Sequence, residues 1–342
     1  MSSLLPLHER TEATAASAGV CAAGRLHLGF LDPSGTLGRR FGSLGLLING
    51  FHTEVQITPA GRDDLHADTL AAAAELDRAA ACLKQLREHT GCHAPLVLRL
   101  RRVLPQHAGL GSGTQLALAV GRAFARWHGL DVSTPTLAAW LGRGQRSGIG
   151  IAGFDCGGLL VDGGPGEEGR AAPVLARLPV PEAWRIVVVL DGRQHGLSGA
   201  RESQAIAALP AFAQSQAAEL CHQVLMRVLP GAAGDEFAVF AAGVNRVQEL
   251  LGSHFAAAQG GSVFTSASVG RLLQWARRHA GDQVAVGQSS WGPTGFAIVP
   301  SAAAAQRLLD AARDAGVIDP ALQLRTVSAR NSGATVSGVA SR

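Results

Sequence analysis

Apolar and polar residues alternate in the early part of the chain and then recur at a helical spacing. In residues 44–58, Val55 and Ile57 alternate with polar neighbours, which is the two-residue period of a half-buried strand. In residues 68–88, apolar positions recur at helical spacing, and Gly91 follows just beyond them. That pattern predicts a helix with a glycine just past its end.

The same two periodicities predict the other elements. Strands are predicted at residues 20–31, 96–104, 158–161, 185–190, 283–286, 295–299 and 323–328, and helices at residues 134–141, 203–228, 236–251, 268–279 and 302–315. Strands and helices follow no regular βαβ alternation, so an α+β fold is predicted. Residues 163–170 are rich in glycine and charge, and two domains are predicted on either side of them, at residues 1–165 and 166–342.

A glycine-rich loop, residues 105–114, carries the clearest chemistry in the chain. Its sequence is Pro-Gln-His-Ala-Gly-Leu-Gly-Ser-Gly-Thr, and an apolar helical stripe from Leu116 to Trp127 follows it. Such a loop exposes backbone N–H groups at a helix N-terminus, where the helix dipole also favours negative charge. It is therefore predicted to hold a phosphate or pyrophosphate. The alternative is a flexible turn in which Thr114 caps the helix.

The composition limits the classes of protein and partner. A chain of 342 residues with 47% hydrophobic and 16% charged residues can bury a sizeable core in two domains. The net charge is +4, from 30 basic and 26 acidic residues, and no run of like charge is present. This balance fits anionic small molecules and predicts no nucleic-acid partner.

Cysteine usage and the apolar runs predict the compartment. The five cysteines are scattered and show no Cys-x-x-Cys spacing, so reduced thiols, no disulfide framework and no zinc site are predicted in a cytoplasmic protein. The N-terminal segment has charged residues and no apolar core of a secretory signal. No apolar run approaches the length of about 18 residues that a membrane span needs, so no membrane partner is predicted.

Three segments together resemble the motifs of the GHMP kinase superfamily. They are residues 23–29 (Ala-Gly-Arg-Leu-His-Leu-Gly), residues 105–117 (Pro-x-x-x-Gly-Leu-Gly-Ser-x-x-x-x-Ala) and residues 287–295 (Gly-Gln-Ser-Ser-Trp-Gly-Pro-Thr-Gly). The resemblance implies a GHMP-kinase-like two-domain α+β fold. Its N-terminal half would be ribosomal-S5-domain-2-like and its C-terminal half ferredoxin-like. The superfamily also implies a homodimer.

The residues that perform phosphoryl transfer in the kinases are replaced here. Arg25 stands where the first kinase motif carries a catalytic lysine, and Gly150 stands where the kinase segment Ser-Gly-Ile-Asp carries its aspartate base. A glycine cannot take a proton, and arginine stays protonated. The chain therefore resembles the kinases in fold and departs from them in chemistry.

A chain that keeps the GHMP motifs but lacks the kinase lysine and aspartate resembles one family within the superfamily, the β-ribofuranosylaminobenzene 5′-phosphate synthases. Residues 24–32, 146–164 and 196–199 carry this resemblance, which extends from about residue 20 to residue 333. It implies that phosphoribosyl pyrophosphate loses pyrophosphate while a ring carbon of 4-aminobenzoate bonds to the anomeric carbon and CO2 leaves, in tetrahydromethanopterin biosynthesis. It also implies Mg²⁺ and no nucleotide donor. 4-Hydroxybenzoate has nearly the same shape as 4-aminobenzoate, so the choice between the two acceptors stays open.

This reaction must stabilise negative charge on the departing pyrophosphate, through backbone N–H groups, cations and Mg²⁺. It needs no general base, because the amino group pushes electrons into the ring and the carboxylate leaves as CO2. The predicted catalytic residues are Arg25, His27, Arg146 and Asp155. The predicted phosphate-binding residues are His107, Gly109, Leu110, Gly111, Ser112, Gly113, Thr114, Gln115, Ser147, Gln288 and Ser289. The predicted magnesium ligands, each in a glycine-rich turn of a matched motif, are Asp32, Asp155 and Asp162.

Two other functions are compatible with the same residues. The first is a divergent GHMP small-molecule kinase that uses ATP, in which Asp155 or another carboxylate replaces the lost base. The second is a non-catalytic GHMP protein that binds a small ligand. ATP consumption would favour the first, and ligand binding without turnover would favour the second.

Overall fold

A long antiparallel strand pair is the base of the N-terminal half. The computed structural model describes residues 17–166, 170–196 and 199–338. The first sheet is built from β1 (Ala18–Asp32), β2 (Phe41–Pro59), β3 (Asp64–Ala67), β4 (Leu96–Arg102), β5 (Leu159–Asp162), β6 (Val174–Leu178) and β11 (Thr335–Ser337). β1 pairs with β2 along nearly its whole length, β11 flanks β1, and β5 joins β2 to β6.

Helices of the N-terminal half pack against this sheet. They are α1 (Leu70–Ala73), α2 (Leu76–Thr90), α3 (Ser112–Trp127), α4 (Thr134–Trp140) and α5 (Ile149–Cys156). Val20 and Ala22 of β1 are buried in one core with α2, α3 and α4. The register of β1 against β2 shifts between Ala23 and Arg25 and again between His27 and Gly29. Beyond the first shift, Leu26 and Leu28 are buried in a different core. His27, which lies between them, faces the opposite side of the strand.

The C-terminal half contributes a second sheet in the order β10-β7-β9-β8. Its strands are β7 (Arg185–Asp191), β8 (Ala285–Gln288), β9 (Gly295–Val299) and β10 (Leu322–Val327). Its helices are α6 (Gly199–Ala208), α7 (Gln214–Gln223), α8 (Leu229–Ala233), α9 (Phe237–Phe255), α10 (Ala267–Ala280) and α11 (Ala302–Asp314). Phe240 and Val244 of α9 share a core with Leu26 and Leu28 of β1, so α9 joins the two halves.

The predicted α+β fold is confirmed, and the element boundaries differ most in two helices. The helix predicted at residues 68–88 is divided into α1 and α2, with the side chain of Thr69 capping α1. The helix predicted at residues 203–228 is interrupted after Ala208, where Pro210 supplies no backbone N–H, and a π-helical turn (Val224–Val228) follows α7. Helices α5 and α8 and the short strands β3, β6 and β11 were not predicted, because three to eight residues carry little periodicity.

Strands from both sides of residue 165 belong to the first sheet, since β6 pairs with β5 and β11 pairs with β1. The division of the chain at that residue stays a prediction. The five cysteines are free thiols. In the described parts of the chain, none of the helices combines the length and apolar character that crossing a membrane requires.

A buried asparagine on α9 ties this helix to the second sheet and gives a test of the packing. Asn245 donates from Nδ2 to the Val284 carbonyl at 2.9 Å and accepts from the Val286 N–H at 2.9 Å. Asn245→Ala leaves two buried backbone groups without partners, and we expect a loss of about 2–4 kcal/mol in the free energy of unfolding. Urea titration measures it, with the exposed Gln306→Ala as the control. Equal stability of the two variants would contradict this role.

Candidate active site

A cleft of about 520 Å³ opens where β1, the glycine-rich loop and a segment of the C-terminal half meet. It brings together ten of the predicted site residues: Arg25, His27, His107, Gly109, Gly111, Ser112, Gly113, Thr114, Arg146 and Ser147. Other residues line it that were not predicted as site residues: Phe30, Arg78, Gly142, Arg143, Gly144, Gln145, Ser290, Trp291 and Gly292. The predicted site is thus assembled from segments far apart in sequence.

The glycine-rich loop presents the start of α3 to this cleft. Gly109 and Gly111 both have φ of 80°, a left-handed conformation that favours glycine. Gly111 is the residue before the helix, and no side chain caps it, so the alternative in which Thr114 caps the helix is wrong. Ser112 and Gly113 begin the helix, where N–H groups lack intrahelical acceptors, and both line the cleft. This geometry suits an anion.

Four arginines surround the loop. A Cβ atom placed on Gly111 would lie 3.1 Å from Cγ of Arg25, and one placed on Gly113 would lie 2.7 Å from Nη2 of Arg78 and 3.5 Å from Nη1 of Arg143. Arg146 lines the cleft as well. Among the residues that the structure describes, no aspartate or glutamate lines it. The cleft is therefore strongly cationic, and its guanidiniums match the geometry of phosphate oxygens.

His27 lies in this cationic site as a neutral group. The residue is 3% exposed, and its Nε2 has no hydrogen-bond partner among the described atoms. Burial is the main cause that lowers the pKa of His27 to about 3, and the charges of Arg25 and Arg146 act in the same direction. A neutral imidazole offers one donor and one acceptor, so His27 can hydrogen-bond a ligand and cannot neutralise a phosphate.

The C-terminal half holds the loop in place. Ser289 donates from Oγ to the Gly109 carbonyl at 2.7 Å and accepts from the His27 N–H at 2.9 Å. The Ser290 N–H donates to the His27 carbonyl at 3.1 Å. Ser289 was predicted to bind phosphate, but it is buried behind the loop and orients it instead. Gly196 also borders the loop through its N–H to the His107 carbonyl, whereas Leu197 and Ser198 of the matched motif lie outside the described residues.

Three other predicted phosphate ligands have different surroundings. Leu110 is buried, and its carbonyl accepts from the Arg25 N–H at 3.1 Å. Gln115 is buried and donates from Nε2 to the Gly150 carbonyl at 2.9 Å. Gln288 lines a smaller space beside the cleft. The first two support the loop from behind.

The predicted magnesium ligands lie outside the cleft lining. Asp32 accepts the N–H groups of Gly35 and Leu37 at 2.8 and 2.7 Å, which is the turn-capping role of many aspartates. Asp162 is buried and accepts two backbone N–H groups, although burial raises the pKa of its carboxyl. Asp155 accepts from the Thr134 hydroxyl at 2.5 Å. Over residues 17–166, 170–196 and 199–338, no group of three or more His, Cys, Asp or Glu side chains could hold a metal. Among the described residues, the three predicted magnesium ligands therefore do not converge on the cleft.

The position that matches the kinase base holds glycine and leaves little room for a side chain. A Cβ atom on Gly150 would lie 3.0 Å from the methyl carbon of Thr114 and 3.7 Å from Nε2 of Gln115. The side chain that would carry a base therefore meets the first turn of α3.

Two of the cleft arginines, Arg78 and Arg143, were not predicted from the sequence, for different reasons. Arg143 lies in the stretch Gly142-Arg143-Gly144-Gln145-Arg146, where two arginines between glycines are a usable signal. Arg78 lies on helix α2 and forms an ion pair with Glu75 at 3.0 Å, so in sequence it is one more charge on an amphipathic helix. Only the packing of α2 against α3 brings it to the loop.

Family models and solved structures agree with this fold. The model described as the GHMP kinases N terminal domain matches residues 77–159, and the GHMP kinases C terminal model matches residues 245–318. The structure superposes on the phosphomevalonate kinase of Streptococcus pneumoniae with a TM-score of 0.66, at 15% identity over 91% of this chain and 99% of that chain. For homoserine kinase from Cytophaga hutchinsonii the TM-score is 0.63, at 17% identity over 95% and 99%. The chain thus has the GHMP kinase fold, as predicted.

Sequence relatives define the family within that class. The β-ribofuranosylphenol 5′-phosphate synthase of Archaeoglobus fulgidus is 32% identical over 289 residues, which cover 81% of this chain and 86% of that protein. The protein of the same name from Methanothermobacter thermautotrophicus is 31% identical over 242 residues, which cover 66% and 73%. The chain belongs to the β-ribofuranosylphenol 5′-phosphate synthase family. The resemblance seen in the motifs is confirmed, and so is an enzyme of the pentosyltransferase kind.

The neutral state of His27 can be tested by NMR. We expect the imidazole signal that disappears in His27→Gln to show no titration between pH 5 and pH 8, because the pKa of His27 is lowered to about 3. The unfolded chain takes up this proton first as the pH falls below about 6.5, so stability should fall with decreasing pH, and less in His27→Gln. A titration midpoint for this signal between pH 6 and 7 would show that the imidazole is solvated.

The anion-binding role of the loop has a matched glycine control. Gly111→Ala adds strain at φ of 80° and places a methyl group against Arg25, so we expect pyrophosphate affinity to fall at least tenfold. Gly129→Ala adds strain at φ of 64° at the other end of α3, where a Cβ atom meets nothing within 4 Å. Titration calorimetry compares the two. The same affinity in both variants would show that the loop does not bind the anion.

Proposed function

We propose that this enzyme transfers the phosphoribosyl group of phosphoribosyl pyrophosphate to a ring carbon of a 4-substituted benzoate, with release of pyrophosphate and CO2. The observation that carries the proposal is the cleft itself: four guanidiniums and a helix N-terminus, with no carboxylate among the described lining residues. A kinase needs a base for the acceptor hydroxyl, and Gly150 stands in its place. A reaction driven by departure of an anion needs cations instead.

The choice of acceptor is supported by the relatives. They are named as synthases of a β-ribofuranosylphenol 5′-phosphate, a product in which the ring carries a hydroxyl group. 4-Hydroxybenzoate is therefore the first acceptor to test, ahead of the 4-aminobenzoate that the motifs alone suggested. Both lead to the same bond changes. We propose tetrahydromethanopterin biosynthesis as the pathway, as the motif resemblance implies.

The bond changes require no proton transfer at the reacting ring carbon. The bond from the anomeric carbon to the pyrophosphate oxygen breaks, and its electron pair leaves with pyrophosphate. The ring carbon that carries the carboxylate then bonds to the anomeric carbon. The bond to the carboxylate breaks, CO2 departs, and that electron pair restores the aromatic ring. The para hydroxyl or amino group supplies electron density during the attack.

The cleft offers two places for the phosphates of the donor. Arg25 lies against Gly111, and the charges of Arg25 and Arg146 both act on His27, while Arg78 and Arg143 lie over Gly113. We infer that the pyrophosphate and the 5-phosphate divide between these two pairs, with the first N–H groups of α3 between them. Charge-assisted hydrogen bonds to both groups would stabilise the leaving anion and fix the donor.

His27 fits a role at the ribose or the acceptor carboxylate. Because its imidazole is neutral, its unpartnered Nε2 can hydrogen-bond a hydroxyl or carboxylate oxygen without competing with the arginines for phosphate. Placement of this group beside the anomeric carbon would orient the reacting partners. We propose His27 as a residue that positions substrate.

Magnesium enters this proposal as part of the substrate. The cleft lining has hydroxyl groups but, among the described residues, no carboxylate to hold the metal, and Asp32 and Asp162 are engaged with backbone N–H groups. We infer that Mg²⁺ arrives chelated by the pyrophosphate of the donor. A homodimer and a cytoplasmic location remain part of the proposal.

One assay tests the reaction and its nearest alternative. The enzyme is incubated with phosphoribosyl pyrophosphate, Mg²⁺ and carboxyl-labelled 4-hydroxybenzoate or 4-aminobenzoate, and labelled CO2 and pyrophosphate are measured. A parallel reaction with ATP and small alcohols detects kinase activity. ATP consumption without CO2 release would replace the proposal with a divergent kinase, although Asp155, the replacement base considered for it, does not line the cleft.

Arg25 gives a sharp test of the leaving-group role. Arg25→Lys keeps the charge and loses the fork that can grip two oxygens, so we expect kcat/KM for CO2 release to fall tenfold to a hundredfold, roughly 1.4–3 kcal/mol of transition-state stabilisation. In Arg25→Ala, kcat/KM for CO2 release should fall further. Arg126→Lys is the control, since Arg126 is exposed and donates to the Gly338 carbonyl. Full activity of Arg25→Ala would remove this residue from the mechanism.

A further inference from the structure

A small chamber lies beside the cleft and differs from it in chemistry. His27, Phe30, Ser290 and Trp291 line both spaces, so the two are adjacent. The chamber lies between the end of β1 and the C-terminal part of α9, and it holds about 40 Å³ of free space. That is room for about three water molecules, or for the leading edge of an aromatic ring with one substituent.

The walls of the chamber are apolar and aromatic. The rings of Phe255 and Trp291 pack with centroids 4.7 Å apart, and Phe30 and Leu251 are buried beside them. Among the residues that the structure describes, the chamber has no aspartate, glutamate, lysine or arginine in its lining. Flat apolar ligands gain most from such walls, through stacking and burial of surface.

Three glutamines supply fixed polar groups to this apolar space. Gln288 donates from Nε2 to Oε1 of Gln259 at 2.9 Å and accepts the Thr265 N–H at 2.6 Å. Gln248 accepts the Gln288 N–H at 2.9 Å and donates to the Leu28 carbonyl. These contacts set the orientation of each amide. Neutral amides of fixed orientation suit a ligand hydroxyl or amino group and give little stabilisation to a full charge.

We propose that this space, the acceptor chamber, receives the para-substituted edge of the acceptor's aromatic ring, with the para hydroxyl or amino group toward Gln259 and Gln288 and the rest of the ring in the cleft. This assignment rests on the proposed function. The direction follows from the bond that forms: the carbon that carries the carboxylate must reach the anomeric carbon, whose pyrophosphate lies among the arginines. The para substituent is at the opposite end of the ring and therefore points away from them, and His27 lies at the boundary.

The chamber then determines acceptor specificity. A neutral hydroxyl or amino group can enter the amide network, whereas a second carboxylate would lose its water among rings and neutral amides without gaining a cation. 4-Hydroxybenzoate and 4-aminobenzoate should therefore both bind. Terephthalate, which carries a carboxylate at each end of the ring, should not compete with them.

Two variants with matched controls test the chamber. Val263→Phe fills it, and Gln259→Leu removes one amide at nearly constant size. Val239→Phe on the outer side of α9 and Gln306→Leu on α11 make the same changes at exposed positions. We expect KM for 4-hydroxybenzoate to rise at least tenfold in the two chamber variants. KM for phosphoribosyl pyrophosphate should stay within twofold, and the controls should match the wild type.

Calorimetric binding of 4-hydroxybenzoate, with pyrophosphate present, separates the chamber from the overall reaction. If the wild type releases CO2 but both chamber variants keep the wild-type KM for the acceptor, the chamber assignment is overturned and the proposed function stands. If the wild type forms no product, the proposed function fails. Calorimetry still tests the chamber in that case. If the wild type binds 4-hydroxybenzoate and the chamber variants do not, the chamber assignment is supported. If the wild type does not bind it, or the variants bind it as tightly as the wild type, the assignment is overturned. Wild-type pyrophosphate affinity in each variant verifies that it is folded.

Discussion

The site depends on one constraint, the clamping of the glycine-rich loop between β1 and the C-terminal half. The Arg25 N–H holds the Leu110 carbonyl, and the Ser289 hydroxyl holds the Gly109 carbonyl. Two left-handed glycines allow the chain to pass between these anchors and still begin α3 with its N–H groups toward the cleft. An anion site made of backbone is rigid only when both sides are held, so the two halves of the molecule fold around this loop.

The charge distribution follows from that arrangement. Four guanidiniums line the same cleft as the helix N-terminus, and the described lining residues include no aspartate or glutamate. Cationic groups and N–H donors gathered in one cleft suit a ligand with several negative charges. Glu75 moderates this through its ion pair with Arg78 from outside the lining. The neutral His27 fits the same pattern, because burial and neighbouring arginines disfavour another cation.

The GHMP fold is shared by kinases and by the synthase family to which this chain belongs. Phosphoryl transfer needs a base beside the acceptor, and the matching position here is Gly150, where an added side chain would be crowded by Thr114. A reaction in which pyrophosphate and CO2 leave needs cations to stabilise the pyrophosphate and a space to bind the aromatic ring of the acceptor. The cleft supplies the first, and the acceptor chamber is our proposal for the second.

By itself, the sequence determined the α+β class, most elements with a clear period, and the loop that precedes α3, because periodicity and glycine spacing are local properties. It also identified Arg25, His27 and Arg146, which lie in recognisable motifs. Only the tertiary structure decided which charges share the cleft. Arg78 reaches it through the packing of α2 on α3, and Asp32 and Asp162 are withdrawn from it by the backbone N–H groups they accept. A turn-capping aspartate and a metal ligand have the same local sequence, and they differ only in what the folded chain places beside them.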